Sequence, residues 1–127
     1  MLPSPALLNF VLVLITMDRR VEQAITEIET DLAHAWETVE LAELVNLSAS
    51  RFRHVFKEET GRTINEYLRE RRLERVELLL RTTFLSIKEV MSEAGASSMS
   101  HFVTYFKQRY GMTPTAYRKH LANFAKH

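Results

Sequence analysis

The sequence predicts an all-α protein, and three observations carry that expectation. The 127 residues include only three glycines, so the breakers that punctuate sheet-rich folds are scarce. Glu, Arg, Leu and Ala recur throughout, while runs with strand character are few. A twenty-residue pattern, Ser-x-Ser-x-Phe-x-x-x-Phe-Lys-x-x-x-Gly-x-Thr-x-x-x-Tyr, stands twice, over 48–67 and 98–117. All eight of its fixed positions recur at an offset of 50: Ser48, Ser50, Phe52, Phe56, Lys57, Gly61, Thr63 and Tyr67 with Ser98, Ser100, Phe102, Phe106, Lys107, Gly111, Thr113 and Tyr117. Such self-similarity marks a duplicated structural unit. Two Phe four residues apart share one face of a helix. The Ser before them is an N-cap and the Gly after them a left-handed C-cap, so each copy reads as one short helix with defined ends.

Composition bounds the class. At 46% apolar and 26% charged residues the chain is an ordinary globular one, long enough for one domain or two very small ones. The absence of Cys excludes disulfides, thiolate metal sites and a Cys nucleophile, and suits a reducing, cytoplasmic setting. The net charge of +1 conceals an asymmetry: eight acids against two bases from Asp18 to Glu43 give −6, and 15 bases against 8 acids from Leu44 onward give +7. Such asymmetry points either to a polyanion partner for the later part or simply to solvated helix faces.

Residues 1–17 form an uncharged apolar extension. Its apolar run is shorter than the about 20 residues that span a bilayer, and it lacks the basic flank and small-residue cleavage site of a secretory signal. It is expected to be a remnant of an upstream domain, or an over-extended start with Met17 as the initiator. The rest divides into 18–81 and 82–127, each expected to hold one helix-turn-helix.

From Asp18 to about Ala35, the apolar positions Val21, Ala24, Ile25, Ile28, Leu32 and Ala35 step by three and four, predicting an amphipathic scaffold helix with an acidic outer face. Thr38 is expected to cap a short helix through Val45 that buries Val39 or Leu41, with Ala42 and Val45. A turn at Asn46 and Leu47 leads into the first repeated helix, which completes a helix-turn-helix. The free face of its second helix carries Ser50, Arg51, Arg53, His54 and Lys57.

A capping box at Thr63 and Glu66 opens a long helix to about Arg81, with Ile64, Tyr67, Leu68, Val76, Leu79 and Leu80 available for packing. About 18 residues rising about 1.5 Å each give a rigid spacer of roughly 27 Å. Its Arg69, Arg71, Arg72 and Arg75 are expected to pair with Glu66, Glu70, Glu74 and Glu77 at helical spacing. A second capping box, Ser86 with Glu89, opens the next helix, which turns Ile87, Val90, Met91 and Ala94 inward. Gly95 supplies the turn and the second repeated helix begins at Ser98. Thr113 then caps a closing helix with Pro114 at its first position, docking Tyr117 and Leu121.

No enzyme, cofactor or metal site is expected. The chain has no paired carboxylates in an apolar context and no Gly-rich phosphate loop, and its five His show no ligand spacing such as His-Glu-x-x-His. Ser100 and His101 are neighbours on a helix whose side chains diverge by about 100°, poor geometry for a nucleophile and its base.

From about Arg19 to His120 the sequence resembles the DNA-binding domain of AraC/XylS-type transcription regulators. The resemblance rests on Leu41-Ala42, the run from Leu47 to Gly61, Tyr67-Leu68, Arg72-Leu73 and Leu79-Leu80, Ile87, and above all the run from Gly95 to Arg118. It implies a seven-helix bundle of two helix-turn-helix subdomains joined by a long linker helix, with the second helix of each motif in the major groove of double-stranded DNA. On that resemblance Ser50, Arg53 and His54 in the first motif, and Met99, Ser100 and Thr104 in the second, would face bases. Arg51, Lys57, His101 and Lys107 would lie near phosphates. It also implies a monomer able to bind through both motifs, in successive major grooves, with RNA polymerase as a protein partner and no membrane. Departures from the family's usual residues are Met91 and Val76 where Ala is common, Ala96 where an aromatic is usual, and Thr104 where Arg is frequent.

Overall fold

The computed structural model describes residues 4–96 and 99–125, without the side chains of residues 10, 13–16, 99 and 125. Among the described residues there are eight helices and no strand: α1 (Pro5–Thr16), α2 (Arg19–Thr30), α3 (Thr38–Leu44), α4 (Ala49–Thr60), α5 (Ile64–Thr82), α6 (Ile87–Glu93), α7 (Met99–Tyr110) and α8 (Pro114–Ala125). The last seven are those expected. They fall into two compact units, one of the chain up to Asp31 with Trp36–Ile64, the other of Leu32–Ala35 with the chain from Asn65 onward.

Helix α1 was not anticipated, although its start carries a local signal. The Ser4 hydroxyl accepts from the Leu7 N–H at 3.2 Å, and Pro5 occupies the first helical position, where its missing N–H is harmless. Leu7, Leu8, Val11 and Leu12 are exposed. No helix among the described residues is long and apolar enough to cross a membrane.

In the first unit, α2, α3 and α4 contact one another. Asp18 caps α2, its carboxylate accepting from the Arg20 N–H at 2.8 Å and from the Arg20 guanidinium. Those hydrogen bonds hold the Asp18 carboxyl below its ordinary range. Val21, Ala24 and Ile28 are fully buried. The helix stops at Thr30 rather than near Ala35, because the following carbonyls are taken by side chains. The Trp36 indole N–H donates to Asp31 O at 2.7 Å, and Arg72 donates to Leu32 O at 3.0 Å and His34 O at 2.9 Å. Thr38 is the first residue of α3 and not its cap: Glu37 holds the cap position without a side-chain hydrogen bond. Of the two alternatives for burial on α3, Leu41 is inside and Val39 outside.

The first helix of each motif ends in the same way, although the second turn is one residue longer. After α3, the Asn46 N–H donates to Glu43 O and the Leu47 N–H to Ala42 O; after α6, the Gly95 N–H donates to Ser92 O and the Ala96 N–H to Met91 O. This paired reach back of three and five residues is the Schellman helix ending. It needs one left-handed residue, supplied by Asn46 (φ 59°) in the first turn and Gly95 (φ 78°) in the second.

In the second unit the core joins Leu73, Val76, Leu79 and Leu80 of α5 to Val90, Met91 and Ala94 after them, and to Phe102 and Phe106 of α7. Val76 and Met91, larger than the family's usual Ala, are accommodated with full burial. The Ser86–Glu89 capping box forms as expected, with both hydrogen bonds present. Thr113 caps α8 by accepting from the Ala116 N–H at 3.2 Å. Glu77 ties α8 to α5, accepting from the Tyr117 hydroxyl at 3.0 Å and from Arg81 at 2.6 Å. Burial pushes the Glu77 carboxyl up, yet these hydrogen bonds outweigh it and leave it below its ordinary value.

The arginines of α5 only partly follow the pairing expected from spacing. Arg71 pairs with Glu74 and Arg81 with Glu77. Arg69 instead stacks over the Tyr105 ring at 4.2 Å, and Arg72 turns to the backbone of residues 32–34. Burial pushes the Arg72 guanidinium below its ordinary value, which still leaves an arginine charged near neutrality.

Candidate nucleic-acid interface

Helix α4 is built to leave one polar face outside. Ser48 accepts from the Arg51 N–H at 3.1 Å and starts it, and Gly61, left-handed at φ 75°, ends it by donating to Lys57 O. Phe52, Val55 and Phe56, at the i, i+3, i+4 spacing of one helical stripe, are buried. At about 100° per residue the opposite side must carry Ser50, Arg53, His54 and Lys57, with Arg51 on its flank. All five are exposed. One residue on that flank was not singled out from the sequence: Glu58 lies one turn beyond His54, with its carboxylate 3.5 Å from His54 Nε2 and both side chains about 70% exposed. The ordinary i, i+4 rule could have found it.

Helix α7 repeats the arrangement with a weaker charge. Phe102 and Phe106 are buried and Val103, which holds the place of Arg53, packs against the same core. Ser100, His101, Thr104 and Lys107 are exposed. The Thr104 hydroxyl donates to Ser100 O at 3.2 Å, so outward it offers a methyl group and a lone pair rather than a proton. The Met99 side chain and Ser98, expected as the cap of this helix, lie outside the described residues. Two cations near α7 are already occupied: Arg69 on the Tyr105 ring, and Arg109, which donates to Glu70 at 2.9 Å. Lys107 is thus the cation that α7 itself presents at the place of Lys57.

No group of three or more potential metal ligands occurs among the described residues. The chemistry on offer is hydrogen bonding and positive charge from helix faces.

Comparison with known proteins gives a consistent result. The profile of a family described as a helix-turn-helix domain matches residues 41–120. The chain is similar to the xylose operon regulatory protein of Escherichia coli K12, 34% identical over 101 residues that make up 80% of this chain and 26% of that protein. Among solved structures it is similar to a DNA-binding transcriptional dual regulator from Escherichia coli K-12, with TM-score 0.69, 31% identity and coverage of 80% of this chain and 96% of the other. It is also similar to a transcriptional regulator with an AraC-type DNA-binding domain from Chromobacterium violaceum, with TM-score 0.72, 27% identity and coverage of 82% and 93%. The chain spans about a quarter to a third of the length of the curated relatives it matches.

Proposed function

This chain belongs to the AraC-type helix-turn-helix family, and from that premise we infer that it binds double-stranded DNA sequence-selectively and regulates transcription. The observation that carries the inference is the exposed face of α4, where Ser50, Arg53, His54 and Lys57 stand opposite the buried Phe52, Val55 and Phe56. A helix in the major groove needs such a face, polar where it meets base edges and cationic where it meets phosphates. Arg53 matches the paired acceptors of guanine, N7 and O6, while His54 and Ser50 can donate or accept.

In the second motif, Ser100, Thr104 and Met99 take the base-facing role. The outward methyl of Thr104 suits contact with a thymine methyl group. Arg51, Lys57, His101 and Lys107 lie at the phosphates. The functional division runs between 18–81 and 82–127, one motif in each, and a monomer uses both in successive major grooves of one DNA face, where the duplex repeats about every 34 to 36 Å. The protein acts in the cytoplasm, without catalysis, with RNA polymerase as its protein partner.

A helical module that docks on another protein is the competing reading, favoured by the exposed Phe84 and Phe124, 107% and 77% accessible. Salt separates the two. Neutralising three phosphates with Arg51, Lys57 and Lys107 gives a slope of log affinity against log salt of about −2.7 at least. Fluorescence anisotropy with a labelled duplex between low and physiological salt reads this slope. A flat response, or no binding at low salt, rules out the DNA reading.

A further inference from the structure

Arg72 was expected to pair with a neighbouring glutamate, and its actual partners give it a different task. Its guanidinium donates from Nε to Leu32 O at 3.0 Å and from Nη2 to His34 O at 2.9 Å. Those carbonyls belong to Leu32–Ala35, a short strap that lies within the second unit although the chain on either side of it lies within the first. The strap is pressed against the turn of the second motif. A Cβ placed on Gly95 would stand 2.6 Å from Leu32 O, 2.7 Å from Ala33 Cα and 3.1 Å from Arg72 Nε. Gly95 is also the left-handed residue of the Schellman ending, with its own N–H bonded to Ser92 O. Arg72, strap and turn therefore form one contact, and α7 begins four residues after Gly95, at Met99.

We propose that Arg72 is a positioning residue for the second DNA-reading helix: by clamping the Leu32 and His34 carbonyls it seats the strap against Gly95 and so fixes where α7 starts. The proposal rests on the DNA-binding reading and extends it to a residue that touches no base. The physical reason is geometric. A planar guanidinium can hold two carbonyls at once in fixed directions, which a lysine ammonium on a flexible stem cannot. Base-reading side chains lose their contacts when their support loosens by about 1 Å. Ser100 and Thr104, in the first turn and a half of α7, are the side chains most sensitive to such a shift.

The test uses the full chain and two variants, Arg72→Met, which keeps the stem, and Arg72→Lys, which keeps the charge. A preferred duplex is first selected from a random pool by the unaltered protein. A second duplex carries the half-site read by α7, the half whose preference survives Arg53→Ala, in scrambled form. Arg72→Met should bind the selected duplex about ten to a hundred times more weakly, the effect of about one or two lost base contacts. It should bind the scrambled duplex as the unaltered protein does, with Arg72→Lys in between. Equal losses on both duplexes, or no loss on either, would overturn the proposal.

A second readout needs no DNA. Amide hydrogen exchange should quicken over residues 94–96 and 99–101 in Arg72→Met while α4 is unchanged, and unaltered exchange there contradicts the clamp. If Arg72→Met does not fold, Arg72→Lys carries both measurements. Should the unaltered protein select no sequence at all, the DNA reading fails while the exchange result still decides the clamp.

Discussion

Gly95→Ala should lower the stability of the second unit by roughly 2 to 5 kcal/mol, about 1 to 2 from a left-handed backbone and about 1 to 3 from overpacking. Gly61→Ala and Gly111→Ala should show the backbone part alone. All three glycines have positive φ, 75°, 78° and 85° in order, but a Cβ at Gly61 or Gly111 meets nothing within 4 Å. At Gly95 the obstacles nearest the new methyl are backbone atoms of Leu32 and Ala33, which cannot rotate away as a side-chain end can. Relief would require the strap to lift, and lifting it withdraws the two carbonyls that Arg72 holds. Urea unfolding of the three variants reads the difference directly. Equal destabilisation of all three would mean that the strap yields freely.

Phe56→Ala, the second large effect, should cost about 3 to 5 kcal/mol, a large share of the about 5 to 15 kcal/mol by which a small domain is stable. Phe56 is wholly buried and packs against Phe52, with ring centroids 5.8 Å apart and planes tilted by 50°. Its removal leaves a cavity beneath the helix that carries Arg53 and His54, so DNA binding should fail together with folding. Phe56→Leu separates the two consequences. It keeps most of the apolar volume, costs about 1 to 2 kcal/mol, and should leave DNA affinity within about twofold below its melting temperature. A ring that stacked on a base would instead lose about 1 to 3 kcal/mol of binding. The same pair of substitutions at Phe106 makes the matching statement for α7, where that ring also meets Tyr110 at 4.6 Å and Tyr117 edge-on at 5.6 Å.

What was legible in the sequence was local. The Ser48 cap, the Gly61 ending, the Ser86–Glu89 capping box, Thr113 with Pro114, and the buried Phe pairs each depend on residues within one or two turns, and all are present. The exposure of Ser50, Arg53, His54 and Lys57 followed from the same reasoning, because burying one stripe of a helix leaves the other outside. Long-range choices were not legible. Arg72 had glutamates within one turn, yet its partners are carbonyls 38 and 40 residues away. Arg69 likewise chose the Tyr105 ring, and Arg109 chose Glu70 across 39 residues.

The early end of α2 has the same origin. The apolar period runs on through Leu32, but those residues serve the second unit as a strap, and periodicity does not say which core an apolar residue joins. Two misses were local and avoidable. Ser4 with Pro5 is a helix start within a segment read only as an uncharged apolar extension, and Glu58 is one turn from His54.

On the DNA-binding inference, the exposed face of α4 reads base pairs and Arg53 is its most specific group. The decisive measurement is selection of preferred duplexes from a random pool, followed by sequencing, for the unaltered protein and for Arg53→Ala. Arg53→Ala should relax preference at one or two adjacent positions, formerly guanine, with a loss of about 1 to 3 kcal/mol on the selected site and preference elsewhere retained. An identical preference at every position in the two proteins would contradict it.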